Sequence, residues 1–195
     1  MKLILASTSA SRAQMLTAAG VPFTARAPGI DERAVEDRLD DIAPATLAAT
    51  LAQKKALALA AGADTLVLGC DSVAESDDGA SLSKCPDIDA ARAQLRTLRG
   101  RPHRLISAAA IALDGDIVWR GTEFATLHMR AFSDPFLDDY LSAEWDHIRH
   151  CVGGYRMEAL GAQLFDRVEG SHFAILGLPL LPLLSFLRER GVLAT

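Results

Sequence analysis

The sequence is short of cysteine, of aromatic residues and of long apolar runs. Its three cysteines, Cys70, Cys85 and Cys151, lie far apart in a chain of 195 residues. There is no CxxC pair and no Cys/His zinc spacing. A disulfide framework and a zinc ribbon are thereby excluded, and a reduced, cytoplasmic protein is the expected setting. The N-terminal apolar run, Leu3 to Ala6, is too short for a signal peptide and stops at Ser7-Thr8-Ser9. The longest apolar stretch elsewhere, Leu176 to Leu187, is broken by Gly177, Pro179 and Pro182, so no membrane partner is expected. Positive charge is scarce as well: 20 Lys and Arg stand against 25 Asp and Glu, a net charge of -5. A broad surface for a nucleic acid polymer is excluded, and any anion site must be a local basic cluster.

What the chain has in quantity is apolar residues, half of the total, with 23% charged. That balance rules out disorder as the main state and gives a core without staples. The length fits a single domain over residues 1–195. Leu3-Ile4-Leu5-Ala6 reads as a buried strand. Ser7-Thr8-Ser9 offers caps to a helix over Ala10 to Ala19, stopped by Gly20. Val21 to Ala25 reads as a strand, and Pro28 to Asp41 as an acidic loop with about one helical turn. Pro44 opens an Ala/Leu-rich helix, Ala45 to Ala61, with Gly62 at its C-terminal cap. Thr65 to Cys70 reads as a buried strand ending at Asp71. A polar stretch, Glu75 to Ser83, follows, then a helix capped by Asp87 or Asp89 that lasts to Leu98. Asp114-Gly115 between Leu105–Leu113 and Ile117–Met129 is a two-residue hairpin signal. A short helix from Ser133-Asp134-Pro135 to Leu141, a strand over Gln163 to Val168 and a helix after Pro179 complete the chain. Strands alternating with helices, plus one hairpin, predict an α/β fold with a mixed sheet.

Six places carry residues suited to chemistry. In Ser7-Thr8-Ser9-Ala10-Ser11-Arg12 a strand feeds a hydroxyl-rich turn and a helix. Free N–H groups and the helix dipole favour an anion there, and Arg12 can fork onto phosphate oxygens. Ser and Thr are also ordinary caps, and no GxxxxGK[ST] is present, which excludes a P-loop. Asp71, past an apolar strand, can hold a metal or take a proton from water, or merely open a turn. Lys54 and Lys55 both fall on the broad face carrying Leu47 and Leu51, where a lysine either snorkels or meets a buried anion. Periodicity does not choose between them. Lys84 and the pair Asp31-Glu32 lie in loops, where such residues are ordinarily solvated; a pair facing Asp71 would instead share a metal. Gly153-Gly154-Tyr155-Arg156-Met157-Glu158 lets backbone approach a ligand or simply shapes a turn. His103 reads as a strand-edge hydrogen-bonding residue. His147 and His150 read as surface residues, Cys70 as a small core filler, and Trp119 and Trp145 as packing.

Taken in order, these pieces resemble the Maf family: Leu3-Ile4-Leu5-Ala6-Ser7-Thr8-Ser9 with Arg12, Asp31-Glu32, Lys55-Ala56, Gly69-Cys70-Asp71-Ser72 and Leu82-Ser83-Lys84. Gly100 with His103, Gly153-Gly154-Tyr155, Glu158 with Gly161, and Gly177-Leu178-Pro179 continue the series over nearly the whole chain. The resemblance implies a mixed, twisted α/β sheet flanked by helices, of the Maf and ITPase-like kind, forming two lobes around a central cleft, and a homodimer. It implies a nucleoside triphosphate pyrophosphatase that cleans unwanted nucleotides from the cell. Ser7, Arg12, Lys55 and Lys84 would bind the triphosphate, with Lys55 chosen over Lys54. Asp71 would accept the proton, and Glu32 with Asp71 would hold a divalent metal, Mg²⁺ or Mn²⁺. All are expected to line one pocket. Two departures stand out. Ala10-Ser11-Arg12-Ala13 replaces the usual Pro-Arg-Arg or Pro-Trp-Arg-Arg, one basic charge fewer. Lys84-Cys85-Pro86 replaces Lys-Pro.

The family's substrate-discriminating positions fall on Ser11, Ser72 and Glu158. A dTTP- and UTP-hydrolysing branch carries Arg, Thr and Gln there, and a 7-methyl-GTP branch carries Trp, Gln and Glu. Glu158, with the text around His150-Cys151-Val152-Gly153 and Leu164 to Gly170, is similar to the second branch. Glutamate only accepts hydrogen bonds, and the Watson–Crick edge of guanine offers two adjacent donors. Two other classes share these residues. A nucleotidyl transferase would require an acceptor other than water. A nucleotide-binding regulator of cell division would bind without turnover.

Overall fold

The computed structural model describes residues 1–39 and 42–195. Among the described residues seven strands form one mixed sheet: β1 (Lys2–Ala6), β2 (Thr24–Arg26), β3 (Thr65–Ser76), β4 (Ser81–Leu82), β5 (Pro102–Leu113), β6 (Asp116–Met129) and β7 (Phe165–Gly170). Their order is β2-β1-β3-β5-β6-β7, with β4 attached to β3. β1 is parallel to both β2 and β3, whereas β3–β4 and β6–β7 are antiparallel. Among the described residues seven α-helices accompany it, α1 (Ala10–Ala18), α2 (Glu32–Glu36), α3 (Pro44–Leu57), α4 (Ile88–Leu98), α5 (Asp134–Ile148), α6 (His172–Ile175) and α7 (Leu180–Glu189), with a 3-10 helix over Leu160–Leu164. This is the mixed α/β fold that the alternation of elements predicts. Among the described residues no helix is long and apolar enough to cross a membrane.

The chain divides into two compact units, residues 1–72 with 106–123 and 171–195, and residues 73–105 with 124–170. Strands β3, β5 and β6 each give residues to both. In the first unit Leu3 and Leu5 of β1, Leu66 and Leu68 of β3, Ile111 of β5 and Leu183 and Leu187 of α7 close one core. Trp119 stacks on Phe186 at 5.7 Å, a packing role. In the second unit Leu95 of α4, Leu137, Tyr140 and Leu141 of α5, and Leu164 are buried. Arg92 reaches Asp138, and Arg96 and Arg99 reach Asp134, along the exposed sides of α4 and α5.

The Asp114-Gly115 turn forms as its sequence demands, with positive φ at both residues, 50° and 87°. Several boundaries differ from the sequence reading. β3 does not end at Asp71: it runs on to Ser76, because Val73 and Ala74 are buried and a turn brings β4 back onto it. What ends near Asp71 is the pairing with β1, whose last partner is Gly69. α3 stops at Leu57, not Ala61; Gly62 belongs to the turn into β3, where its carbonyl accepts from Thr65 N at 2.9 Å. α5 continues past Leu141 to Ile148, its inward face extended by Glu144 and Ile148. β2 begins at Thr24, three residues later than the sequence pattern predicts, and β7 at Phe165, two residues later. The sequence pattern does not predict β4 or α6. The described part of the acidic loop holds the short helix α2; the loop's end, Asp40 and Asp41, lies outside the described residues.

Candidate active site

The Ser7–Ser9 turn hangs between β1 and α1. Ser9 caps α1 by accepting from Arg12 N at 3.4 Å, and Ser7 Oγ accepts from Ser9 N at 3.1 Å. This folds the hydroxyls back over the start of the helix, and Arg12 projects from its first turn. Arg12 is held on three sides. Its Nε donates to the Gly177 carbonyl at 2.8 Å, Nη1 to Ser7 Oγ at 3.3 Å and Nη2 to Ser72 Oγ at 3.0 Å. A guanidinium has five N–H donors. Among the described residues three are engaged here, which leaves two for an anion. Ser11 donates its hydroxyl to the Leu176 carbonyl at 2.9 Å, so its proton is spent on backbone.

Glycine sets the second half of the site. A Cβ on Gly69 would overlap the Ala52 carbonyl and the Ala56 nitrogen, so α3 lies directly against β3 at this point. That contact brings Lys55, one residue before Ala56, to Asp71, two residues after Gly69. Lys55 Nζ donates to Asp71 Oδ1 at 2.6 Å, with both side chains under a tenth exposed. The same Nζ lies 2.9 Å from Glu32 Oε1, where the side chain is 38% exposed. Lys54 is exposed. Asp31 caps α2 by accepting from Ala34 N at 3.0 Å, which places the next residue, Glu32, at the first turn.

Burial lifts the Asp71 carboxyl above the usual carboxylate range; Lys55 and Arg12 pull it back, and Glu32 adds to the rise. A carboxylate so lifted is a better proton acceptor than a free aspartate. Burial also pushes the adjoining Cys70 thiol up to about 11, which makes it an inert filler. Ser7, Arg12, Glu32, Lys55, Asp71 and Ser72 therefore gather in the first unit as one cationic and acidic cluster.

Lys84 and Glu158 belong to the second unit, and both are exposed. The Cys151 thiol feels both: burial raises its pKa most, Glu158 raises it further, and Arg156 and Lys84 lower it. The segment before Glu158 is fixed at three points. Tyr140 donates to the Gly154 carbonyl at 3.2 Å, Arg156 Nη2 to Glu144 Oε2 at 2.9 Å, and His103 Nε2 shares a 2.6 Å bond with Tyr155. His103 is thus the hydrogen-bonding strand residue that its position suggested.

Among the described residues no group of three or more His, Cys, Asp and Glu side chains is placed to hold a metal ion. A hard cation that takes its other ligands from phosphate and water needs only one or two carboxylates. Glu32 and Asp71, converging on one ammonium within 2.9 Å, fit such an ion.

A family model described as Maf-like protein matches residues 2–190. The chain belongs to the Maf family. Its similarity to curated relatives of this Maf protein covers nearly the whole chain. A protein of Ruegeria pomeroyi named nucleoside triphosphate pyrophosphatase is 45% identical over 196 residues, covering 99% of this chain and 98% of its own. Proteins of the same name from Roseobacter denitrificans and Maricaulis maris are 46% and 45% identical, covering 97% and 98% of this chain and 96% and 98% of their own.

Two parts of this Maf chain's cluster escaped the sequence reading. One is Ser107, fully buried, which donates to the Ala174 carbonyl at 2.7 Å and contacts Ser72 Oγ at 2.8 Å. The other is the turn 174–177, whose carbonyls at 174, 176 and 177 receive Ser107, Ser11 and Arg12. A serine inside the apolar stretch Ile106 to Ala112 was the available signal, since a hydroxyl there must find a buried partner.

Proposed function

We propose that this chain is a nucleoside triphosphate pyrophosphatase, cleaving between the α- and β-phosphates to give a monophosphate and pyrophosphate. The observation that carries the reading is the buried Lys55–Asp71 pair, set in the same unit as the anchored Arg12. The names of the relatives agree with it.

A triphosphate carries about four negative charges and needs several cations. Arg12 offers its two remaining N–H groups as a fork to phosphate oxygens. Lys55 offers a point charge, and Lys84 is assigned a third by its position in the sequence motif. Asp71 accepts a proton from water at its carboxylate as the water oxygen bonds to the α-phosphorus. The bond from that phosphorus to the bridging oxygen breaks, and pyrophosphate leaves with the electron pair. Positioning and charge stabilisation supply most of the rate in such a transfer. Glu32 and Asp71 are the residues that would hold Mg²⁺ or Mn²⁺, which when bound supplies charge to the phosphate oxygens.

For the base, the reading rests on Glu158. An acceptor-only side chain suits the paired donors of a guanine-type edge, and 7-methyl-GTP keeps those donors. A glutamine would suit thymine or uracil. The test is a panel of normal and modified triphosphates with Mg²⁺ or Mn²⁺, scored for pyrophosphate against orthophosphate. Guanine-type substrates, 7-methyl-GTP first, are expected to lead. Faster hydrolysis of UTP and dTTP would remove Glu158 from this role, and a requirement for an acceptor other than water would make the protein a transferase.

A further inference from the structure

Ser107 sits on β5 with no exposed surface, and nothing in the proposed reaction uses it. Its surroundings nonetheless determine where one proton lies. Ser107 Oγ contacts the Ala174 carbonyl at 2.7 Å, and a carbonyl only accepts. The single hydroxyl proton of Ser107 is therefore committed to Ala174. The 2.8 Å bond between Ser72 Oγ and Ser107 Oγ is then left with one donor, Ser72. With its proton spent inward, Ser72 receives Arg12 Nη2 at 3.0 Å as an acceptor. The chain has one polarity throughout: guanidinium to Ser72, Ser72 to Ser107, Ser107 to backbone.

Gly177 closes the arrangement from the opposite end. Its carbonyl takes Arg12 Nε at 2.8 Å, and its φ is +98°. A Cβ there would stand 3.2 Å from Arg12 Nε and 3.3 Å from Ser72 Oγ. The guanidinium and the Ser72 hydroxyl are thus gripped between a relay anchored at Ala174 and a turn that leaves room for no side chain. All of these residues lie in the first unit.

We infer that Ser107 is a positioning residue for substrate binding: it fixes Ser72 as an acceptor and thereby holds the plane of Arg12, so that the two uncommitted N–H groups are presented in one orientation. Two consequences follow. Ser72 meets a ligand only as an acceptor, so at this position the site repels a second acceptor and welcomes a donor. Loss of Ser107 frees the Ser72 proton and lets Arg12 turn, which weakens binding rather than the chemical step. The kinetic consequence rests on the pyrophosphatase reading; the structural one does not.

The experiment uses Ser107→Ala, Ser107→Cys, which keeps the volume with only a weak donor, and Ser107→Thr, which keeps the hydroxyl. Side-chain NMR of ¹⁵N-arginine-labelled full-length protein without substrate reads the Arg12 guanidinium. Slow exchange and restricted rotation are expected in the wild type and S107T, and faster exchange with averaged Nη signals in S107A and S107C. Steady-state pyrophosphate release then reads binding against chemistry. KM for the best triphosphate is expected to rise about tenfold in S107A and S107C, the effect of one mispositioned hydrogen bond, with kcat within about threefold and S107T restored. Arg12 signals unchanged in both S107A and S107C overturn the inference, as does a fall in kcat with KM unchanged. A wild type that hydrolyses no triphosphate overturns the pyrophosphatase reading alone, since the NMR comparison needs no substrate.

Discussion

Lys55 lies 2.6 Å from Asp71 inside the first unit, where water reaches neither side chain freely. The pair exists because Gly69 lets α3 approach β3 without an intervening side chain. Two charges held in such a place are costly when separated. Lys55→Met leaves the Asp71 carboxylate buried opposite a methyl group. It is expected to cost about 3–5 kcal/mol of stability, the range for breaking a buried pair. Urea unfolding measures it. A loss below about 1 kcal/mol would place the pair in an exposed, solvated setting.

Gly69→Ala tests the helix–strand approach itself. The added methyl meets backbone, which cannot rotate away. A destabilisation of about 1–3 kcal/mol or more is expected from overpacking, with a fall in pyrophosphate release because Lys55 moves with α3. Thermal unfolding and the release assay on the same preparation report both. Unchanged stability would mean that α3 stands off the strand.

Much of this arrangement was legible in the sequence. The strand–turn–helix at Ser7 to Arg12, the hairpin at Asp114-Gly115 and the run of motifs were carried by local rules of capping, turn geometry and spacing. What was not legible came from contacts distant in the chain. Lys54 and Lys55 share a helix face by periodicity, and only the approach of β3 buries one of them. Ser107 is an unremarkable strand serine until Ser72 and Ala174 meet it. β3 runs past Asp71 because its later residues are buried by tertiary packing, which the polar text after Asp71 did not signal. β4 has two residues, too few for any periodic pattern.

His103 makes stability depend on pH. Burial lowers its pKa from 6.5 to about 4, and the His128 charge adds to the lowering. Its Nδ1 is buried with no hydrogen-bond partner among the described residues, so a proton there would meet no acceptor among them. Between those two pKa values the unfolded chain binds a proton that the folded chain does not. The contribution is present above pH 6.5 and is lost as pH falls toward 4. It amounts to about 3 kcal/mol by linkage. Unfolding free energies measured across that window should decline in the wild type and flatten in His103→Asn. Parallel curves would contradict the assignment.

The specificity reading predicts an exchange of preference in Glu158→Gln. Guanine-type triphosphates should lose about tenfold in kcat/KM relative to UTP, as expected when one of two paired acceptors becomes a donor. The ratio across the panel is the measurement, and an unchanged ratio would assign base recognition elsewhere.

The acid limb of activity should report Asp71. Because burial raises its pKa, the rate is expected to fall with acid at a higher pH than an exposed aspartate would give. A profile of kcat/KM against pH measures this. A limb at the ordinary carboxylate position would show that another group accepts the proton.

The role proposed for Asp71 is to direct water onto the α-phosphorus. Hydrolysis in ¹⁸O-labelled water, followed by mass spectrometry of both products, tests it most directly when wild type and Asp71→Asn are run together. Label is expected in the nucleoside monophosphate and none in pyrophosphate, with a rate in the folded variant lower by roughly 10²–10⁴. Label in pyrophosphate, or near-normal turnover by Asp71→Asn, would contradict it.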